Sequence, residues 1–262
     1  MAGKSLLRLK EFQVTPKIKL NIPTVGDILD DEENYYYMVN TVVRSPYSAM
    51  VELDDIGIDF TTITPFELFL MSARSFFSDD LSYIFGDTFS GLYETLNDPD
   101  IPDHVKYEDI LVIGSNEENG ELGIYDSIDD IYIDKFIYEQ IADGIRKINI
   151  MKKDNRRPGN EAAKNYLIQK ERRYKRRHAK DKNDPYLETL VVALVNKQEF
   201  PYDYESVMDL SIYNFQRSLE QIQHTVSFDK VMIGVYAGTV DTSKMTDKSI
   251  LNFINFKSKT SQ

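Results

Sequence analysis

The chain has 262 residues, of which 42% are hydrophobic and 28% charged, so it is long enough to bury a core as one large or two small domains. It contains no cysteine, which excludes disulfide frameworks, thiol catalysis and cysteine-ligated metal sites. The three histidines, at positions 104, 178 and 224, are far apart in sequence and indicate neither a metal site nor a catalytic triad. We therefore expect no bound metal and no cofactor.

The net charge of −12 hides a strong asymmetry along the chain. Residues 26–145 carry a net charge of −24, whereas residues 146–182 carry +11. The acidic part repels nucleic acid, while the basic block could bind phosphate locally or dock against an acidic surface of its own chain or of a neighbour. Blocks of opposite charge in one chain favour self-association or complementary docking.

Local signals in the first hundred residues indicate mostly helices. Val14–Leu20 alternates and predicts a strand. The aromatic and branched stretch 32–43 predicts a helix. Thr64 fits the N-cap of a further helix with Pro65 at its first position, and this helix, over 65–77, is apolar almost all round and is predicted to lie in the core.

The stretch 109–133 carries the clearest β signal. Asp109–Gly114 predicts a short strand, Asn119-Gly120 is a favoured hairpin turn, and Glu121–Tyr125 predicts the returning strand. Residues 131–133 predict a third strand, and from 134 onwards the pattern is helical.

The sequence therefore predicts an α+β protein, predominantly helical with a small antiparallel β-hairpin element. The turn Arg156–Gly159 is the best candidate for a boundary. We predict an acidic N-terminal α+β part over 1–155, with the hairpin near 109–133, and a helical C-terminal part over 156–262 that begins with a basic helix.

The basic helix is the most distinctive local feature, with its cations concentrated over residues 170–180. Its cations are candidate contacts to phosphate or to an acidic partner: Arg172, Arg173, Lys175, Arg176 and Arg177. Tyr166 and Tyr174 could stack on bases. The alternative is a solvated helix face whose charged groups pair with the acidic half of the chain.

Residues 211–226 form a one-sided apolar seam. Ile212, Phe215, Leu219 and Ile222 recur at spacings of three and four residues, and Val226 continues the series. Packing within the chain is one interpretation of this seam. A partner helix or self-assembly is the other.

No motif predicts an enzyme. The chain has no G-x-G-x-x-G and no G-x-S-x-G, and the acidic cluster of Asp126, Asp129, Asp130 and Asp134 lacks the glycine and final glutamate of a calcium loop. We interpret this cluster as solvated acidic surface. The N-terminus lacks the features of a signal peptide and the longest apolar run, Leu190–Val195, is too short to cross a bilayer, so we expect a soluble cytoplasmic protein without membrane contact.

Three stretches carry a resemblance to a known class of proteins. They are LNIPTVGDI (20–28), VELDDIGIDFTTITPFELFLM (51–71), and YDYESVMDLSIYNFQRSLEQIQ (202–223) followed by FDKVMIGVYAGTVDTSKM (228–245). Together they resemble proteins encoded in the tail-morphogenesis clusters of phages and prophages of Gram-positive bacteria, which are interpreted as tail assembly chaperones or accessory tail proteins.

This resemblance implies a non-catalytic role in the bacterial host cytoplasm. Such a chaperone would bind the apolar surfaces of the tape-measure protein or of tube subunits until assembly. Two alternatives stay open. One is a structural component retained in the virion tail or baseplate. The other is a nucleic-acid-binding protein that uses the basic helix over 170–180.

Overall fold

The computed structural model describes residues 5–98, 100, 110–115, 120–178 and 186–255. The strands are β1 (Glu11–Gln13), β2 (Lys19–Asn21), β3 (Leu111–Ser115), β4 (Leu122–Asp126) and β5 (Ile131–Asp134). The helices are α1 (Val25–Asp30), α2 (Glu32–Val43), α3 (Met50–Asp55), α4 (Pro65–Ser78), α5 (Ser82–Phe85), α6 (Ser90–Leu96), α7 (Lys135–Ile148), α8 (Glu161–His178), α9 (Tyr186–Val195) and α10 (Ile212–Tyr236). The predicted class, a mostly helical α+β protein, is confirmed.

Helix starts follow the capping signals of the sequence. The Thr64 hydroxyl accepts a hydrogen bond from the Glu67 amide at 3.2 Å, and the Glu67 carboxylate accepts one from the Thr64 amide at 2.6 Å. This reciprocal arrangement satisfies two amide groups that the first turn of α4 leaves without helical partners. The predicted N-cap at Thr64, with Pro65 at the first helical position, is confirmed.

The single strand predicted over Val14–Leu20 is wrong. The structure places a hairpin there, with β1 and β2 pairing so that Phe12 lies opposite Leu20. The residues between the two strands form the turn, in which the Thr15 hydroxyl accepts a hydrogen bond from the Ile18 amide at 3.0 Å. Only the end of the alternating stretch therefore belongs to a strand.

The β element near 109–133 is confirmed as a three-stranded antiparallel sheet in the order β3-β4-β5. Ile113, Ile124 and Ile133 stand opposite one another across the three strands. Asn119 of the predicted turn lies outside the described residues, whereas Gly120 has a φ of +70°, which suits glycine.

Aromatic rings of α4 form the centre of the main core. Phe69 and Phe76 are buried and meet edge to edge at 5.3 Å between ring centroids. The ring of Tyr138 on α7 stacks on Phe69 at 5.2 Å, and its hydroxyl donates to the Val42 carbonyl at the end of α2. The predicted core position of α4 is therefore confirmed, and α2, α4 and α7 pack as one layer of helices.

The main core extends from Leu6 to Phe215 and takes side chains from both predicted parts of the chain. A smaller cluster joins α3 to α8 through buried Leu53, Phe60 and Ile168. The division into 1–155 and 156–262 stays a prediction.

Candidate interaction site

The basic helix α8 lies beside α3, and its inward cations bind acidic residues of α3 and of the following loop. The three pairs and their N–O distances are Lys164–Asp59 (2.7 Å), Arg172–Asp54 (2.6 Å) and Lys175–Glu52 (2.6 Å). Arg172 also reaches Asp55 at 2.6 Å. Because most of these groups touch solvent, each pair contributes less than about 1 kcal/mol. Their main effect is to orient α8 on the acidic half.

The pairing changes the acidity of the carboxylates involved. The hydrogen bond from Lys164 lowers the pKa of Asp59 to about 2, helped by donors from Thr61. Burial acts to raise the pKa of Glu52, but hydrogen bonding by Lys175 and the charge of Arg44 outweigh it, so this pKa is lowered. These carboxylates are therefore charged at neutral pH, and the inward side of α8 faces fixed negative charge.

The predicted contact residues of α8 divide between two sides of the helix. Arg172 and Lys175 face α3, whereas Arg173, Arg176 and Arg177 are exposed. Within the described part of the chain, these three exposed arginines have no ion-pair partner. The structure thus places the docking contacts on one side and leaves a cationic surface on the other.

The outer stripe of α8 consists of residues spaced four, three and four apart, all exposed: Tyr166, Lys170, Arg173 and Arg177. This spacing puts them on one side of the helix. Tyr174 flanks the stripe, is also exposed, and packs against the ring of His178 at 4.1 Å. The outer stripe combines cations with an aromatic ring, a combination that binds acidic and aromatic surfaces.

The predicted seam on α10 lies against the core of the same chain. Ile212 and Phe215 are fully buried, and Leu219 and Ile222 are half-buried against the main core. Ser211 caps the helix through its hydroxyl, which accepts from the Asn214 amide at 3.3 Å. The first half of α10 therefore anchors the helix to the body of the protein.

Beyond the anchor, α10 continues as part of what we call the C-terminal arm, residues 216–255. No described residue of the arm is buried, and past Ile222 none packs against the main core. Apolar side chains are exposed along it, with Ile233 69%, Tyr236 84% and Phe253 59% accessible. The sequence analysis quoted this stretch only for its resemblance and did not single it out as a site, because its apolar residues have a helical spacing that equally fits burial.

The end of the arm folds back along α10. Gly238 has a φ of +70° and ends the helix, and the Gln221 side chain donates to the Phe253 carbonyl at 2.7 Å. His224 and the Asn252 carbonyl are 2.7 Å apart. These polar contacts define the returning segment while leaving the neighbouring apolar side chains on the outside.

A groove of about 990 Å³ runs along the exposed side of α2, between α3, α4 and the start of α9. Its apolar lining comprises Tyr36, Tyr37, Ile56, Leu68, Met71 and Tyr186. One end carries Glu32 and Glu33, and the other carries Arg44, which pairs with Glu52 at 2.9 Å. We call this depression the α2 groove.

Glu32 has two roles at the end of the α2 groove. Its Oε1 atom accepts hydrogen bonds from the Tyr186 and Leu187 amides, both at 2.9 Å, and so caps α9 from a different helix. Its Oε2 atom is buried without a hydrogen-bond partner among the described residues. Burial, together with the charge of Glu32, raises the pKa of Tyr36 to about 12. This end of the groove therefore favours a positively charged donor.

The interpretation of the acidic cluster at 126–134 as solvated surface is wrong for Asp126, which is buried. Its Oδ1 atom accepts from the Ile128 amide at 2.9 Å, whereas Oδ2 has no partner in the described structure. Burial raises the pKa of Asp126 to about 6, and the nearby charge of Asp129 adds to the rise. Asp129 itself accepts a hydrogen bond from the Leu92 amide at 2.9 Å, so this pair holds β4 against α6.

Neither a metal site nor a membrane span is found in the described ranges. No group of three or more histidine or acidic side chains is arranged there to hold a metal ion. No helix in those ranges combines the length and apolar character that crossing a bilayer requires.

Comparison with known proteins gives one match. A family model described as the YomV second domain matches residues 179–255, less than a third of the chain. That family is of the Bacillus phage and prophage type, and the match indicates a phage protein. The matched range contains α9, α10 and the whole C-terminal arm. No curated protein and no solved structure matches the chain.

Proposed function

We propose that this protein is a non-catalytic phage protein that assists tail assembly, as a tail assembly chaperone or accessory tail-morphogenesis protein. In this proposal it binds apolar surfaces of other tail proteins through the C-terminal arm. The observation that carries the proposal is the exposure of Ile233, Tyr236 and Phe253 on an arm in which no described residue is buried.

The arm has the properties that temporary binding of apolar surfaces requires. Large exposed apolar side chains in a soluble protein mark contact surfaces, and charged neighbours limit aggregation. Asp229 and Lys230 lie one turn before Ile233, so charge borders the apolar residues. Met232 adds a flexible side chain that can adapt to different partners.

The proposed partners are the tape-measure protein or the tube subunits, bound in the host cytoplasm before assembly. The family match supports a phage context, and the matched range includes the arm. The anchored first half of α10 supports the same assignment, because a fixed base allows the distal part to be presented to a partner without disturbing the core.

Copurification from phage-producing cells tests the proposal. The tagged chain is compared with an I233S/Y236S variant, and F136S serves as the matched control because Phe136 is 71% exposed on α7, outside the arm. We expect a tail protein to copurify with the wild type and with F136S, and to be lost from I233S/Y236S. Equal recovery by all three proteins would refute the role of the arm.

Mass spectrometry of purified particles separates the proposal from the main alternative. A chaperone leaves before the particle is complete, so its peptides are absent from purified virions. A fixed copy number in every particle would instead establish a structural component of the tail or baseplate.

A further inference from the structure

The α2 groove is bordered by acidic side chains that the described structure leaves partly unsatisfied. Glu33 is exposed at its end without a described ion-pair partner, and the Oε2 atom of Glu32 lacks a donor. Met71 and Tyr37 project from the lining with about half of their surface accessible. The groove follows α2 for twelve residues, or about 18 Å, which is long enough to hold three turns of a helix.

The outer stripe of α8 has the complementary properties. It presents Lys170, Arg173 and Arg177 on one side of an 18-residue helix, with Tyr166 at one end. The long aliphatic parts of arginine side chains cover apolar surface, and their guanidinium groups stack on tyrosine rings and bind carboxylates. Tyrosine, methionine and arginine are also the residue types enriched where proteins meet.

We infer that the outer stripe of α8 binds the α2 groove of a second copy of this chain. Within one molecule, α8 contacts α3 through its inward side, and Glu52 of α3 both lines the groove and pairs with Lys175. The outer stripe points away from that contact, so it cannot enter the groove beside it. The complementary groove must therefore come from another molecule.

This contact joins two different surfaces, the stripe of one copy and the groove of the next. Each copy then keeps a free stripe or a free groove, so the contact repeats and builds a ring or an open filament rather than a closed pair. The stripe and groove lie outside the C-terminal arm, so the inference does not depend on the function proposed for the arm.

Sedimentation velocity on the full chain tests the inference. We expect concentration-dependent self-association at about 50 mM salt that weakens at least about tenfold at about 500 mM salt, because screened charges hold the contact. The stripe variant R173E/R177E and the groove variant E33R/M71R should each lose self-association. Mixing the two variants should restore it, in complexes containing both, because each then offers the partner surface that the other needs.

Matched controls assign the contact. K10E/K197E changes the net charge as R173E/R177E does, at two exposed lysines without described ion pairs, and should associate like the wild type. I233S/Y236S should also associate normally, which separates this contact from the arm. Circular dichroism and thermal unfolding verify that every variant is folded.

Several results would overturn the inference. A wild type that stays monomeric at low salt, or a mixture of variants that does not associate, would exclude the contact. Loss of association only in I233S/Y236S would assign self-contact to the arm. A wild type that stays monomeric but binds labelled DNA or RNA through Arg173 and Arg177 would assign the stripe to nucleic acid instead.

Discussion

Replacing Asp126 by asparagine should stabilise the protein above neutral pH. The buried carboxylate has one oxygen, Oδ1, that accepts from the Ile128 amide, and a second, Oδ2, that no described donor reaches. An ionised Asp126 therefore carries buried charge beside the carboxylate of Asp129. Asparagine keeps the accepting oxygen, and its amide group can donate toward Asp129.

The raised pKa fixes both the magnitude and the sign of the effect. A rise from the ordinary value of 3.8 to about 6 corresponds to about 3 kcal/mol. Between these pH values native Asp126 keeps a proton that the unfolded chain has lost, so its stabilising contribution is complete below about pH 4 and lost above about pH 6. We expect D126N to equal the wild type near pH 4 and to exceed it by about 1 to 3 kcal/mol above pH 7.

Urea unfolding of both proteins across this pH range measures the difference directly. The comparison uses the difference in free energy of unfolding at each pH, because Asp59 and Asp154, whose pKa values are lowered, change the absolute stability in the opposite direction. A difference that stays constant with pH, or a D126N protein less stable than the wild type at pH 7.5, would refute the reasoning.

Three further predictions concern the elements that hold the arm and the groove. F215A removes a fully buried ring at the base of α10 and should lower the free energy of unfolding by about 3 to 5 kcal/mol in urea titrations. E32A removes the cap of α9 and should cost about 1 kcal/mol, with faster hydrogen exchange at the Leu187 amide. G238A forces a β-carbon into a φ of +70° and should cost about 1 kcal/mol, seen as a lower thermal midpoint. An unchanged stability in any of the three would show that the contact named is not needed.

Local chemistry made part of the fold predictable. The N-cap at Thr64 depends on residues within one helical turn, and the strands around Gly120 depend on a short turn signal, so both were readable from the sequence. The stretch Val14–Leu20 was not, because its alternation is also compatible with a turn that leads into a strand. The Thr15 side chain stabilises that turn.

Long-range packing decided the rest. The spacing of Ile212 and Phe215 predicted a helical face but could not identify the surface that covers it, which is the core of the same chain. Likewise, the basic run predicted a cationic helix, whereas the division between Arg172 and Arg173 depends on acidic residues of α3 more than a hundred positions away. The α2 groove arises only when three helices assemble.

The yield of infectious particles tests the central claim, that the protein acts through contacts of its C-terminal arm. In cells that produce the phage from a genome carrying I233S/Y236S, we expect infectious particles to fall at least about tenfold, while F136S matches the wild type. Unchanged yield from a folded I233S/Y236S protein would contradict the account.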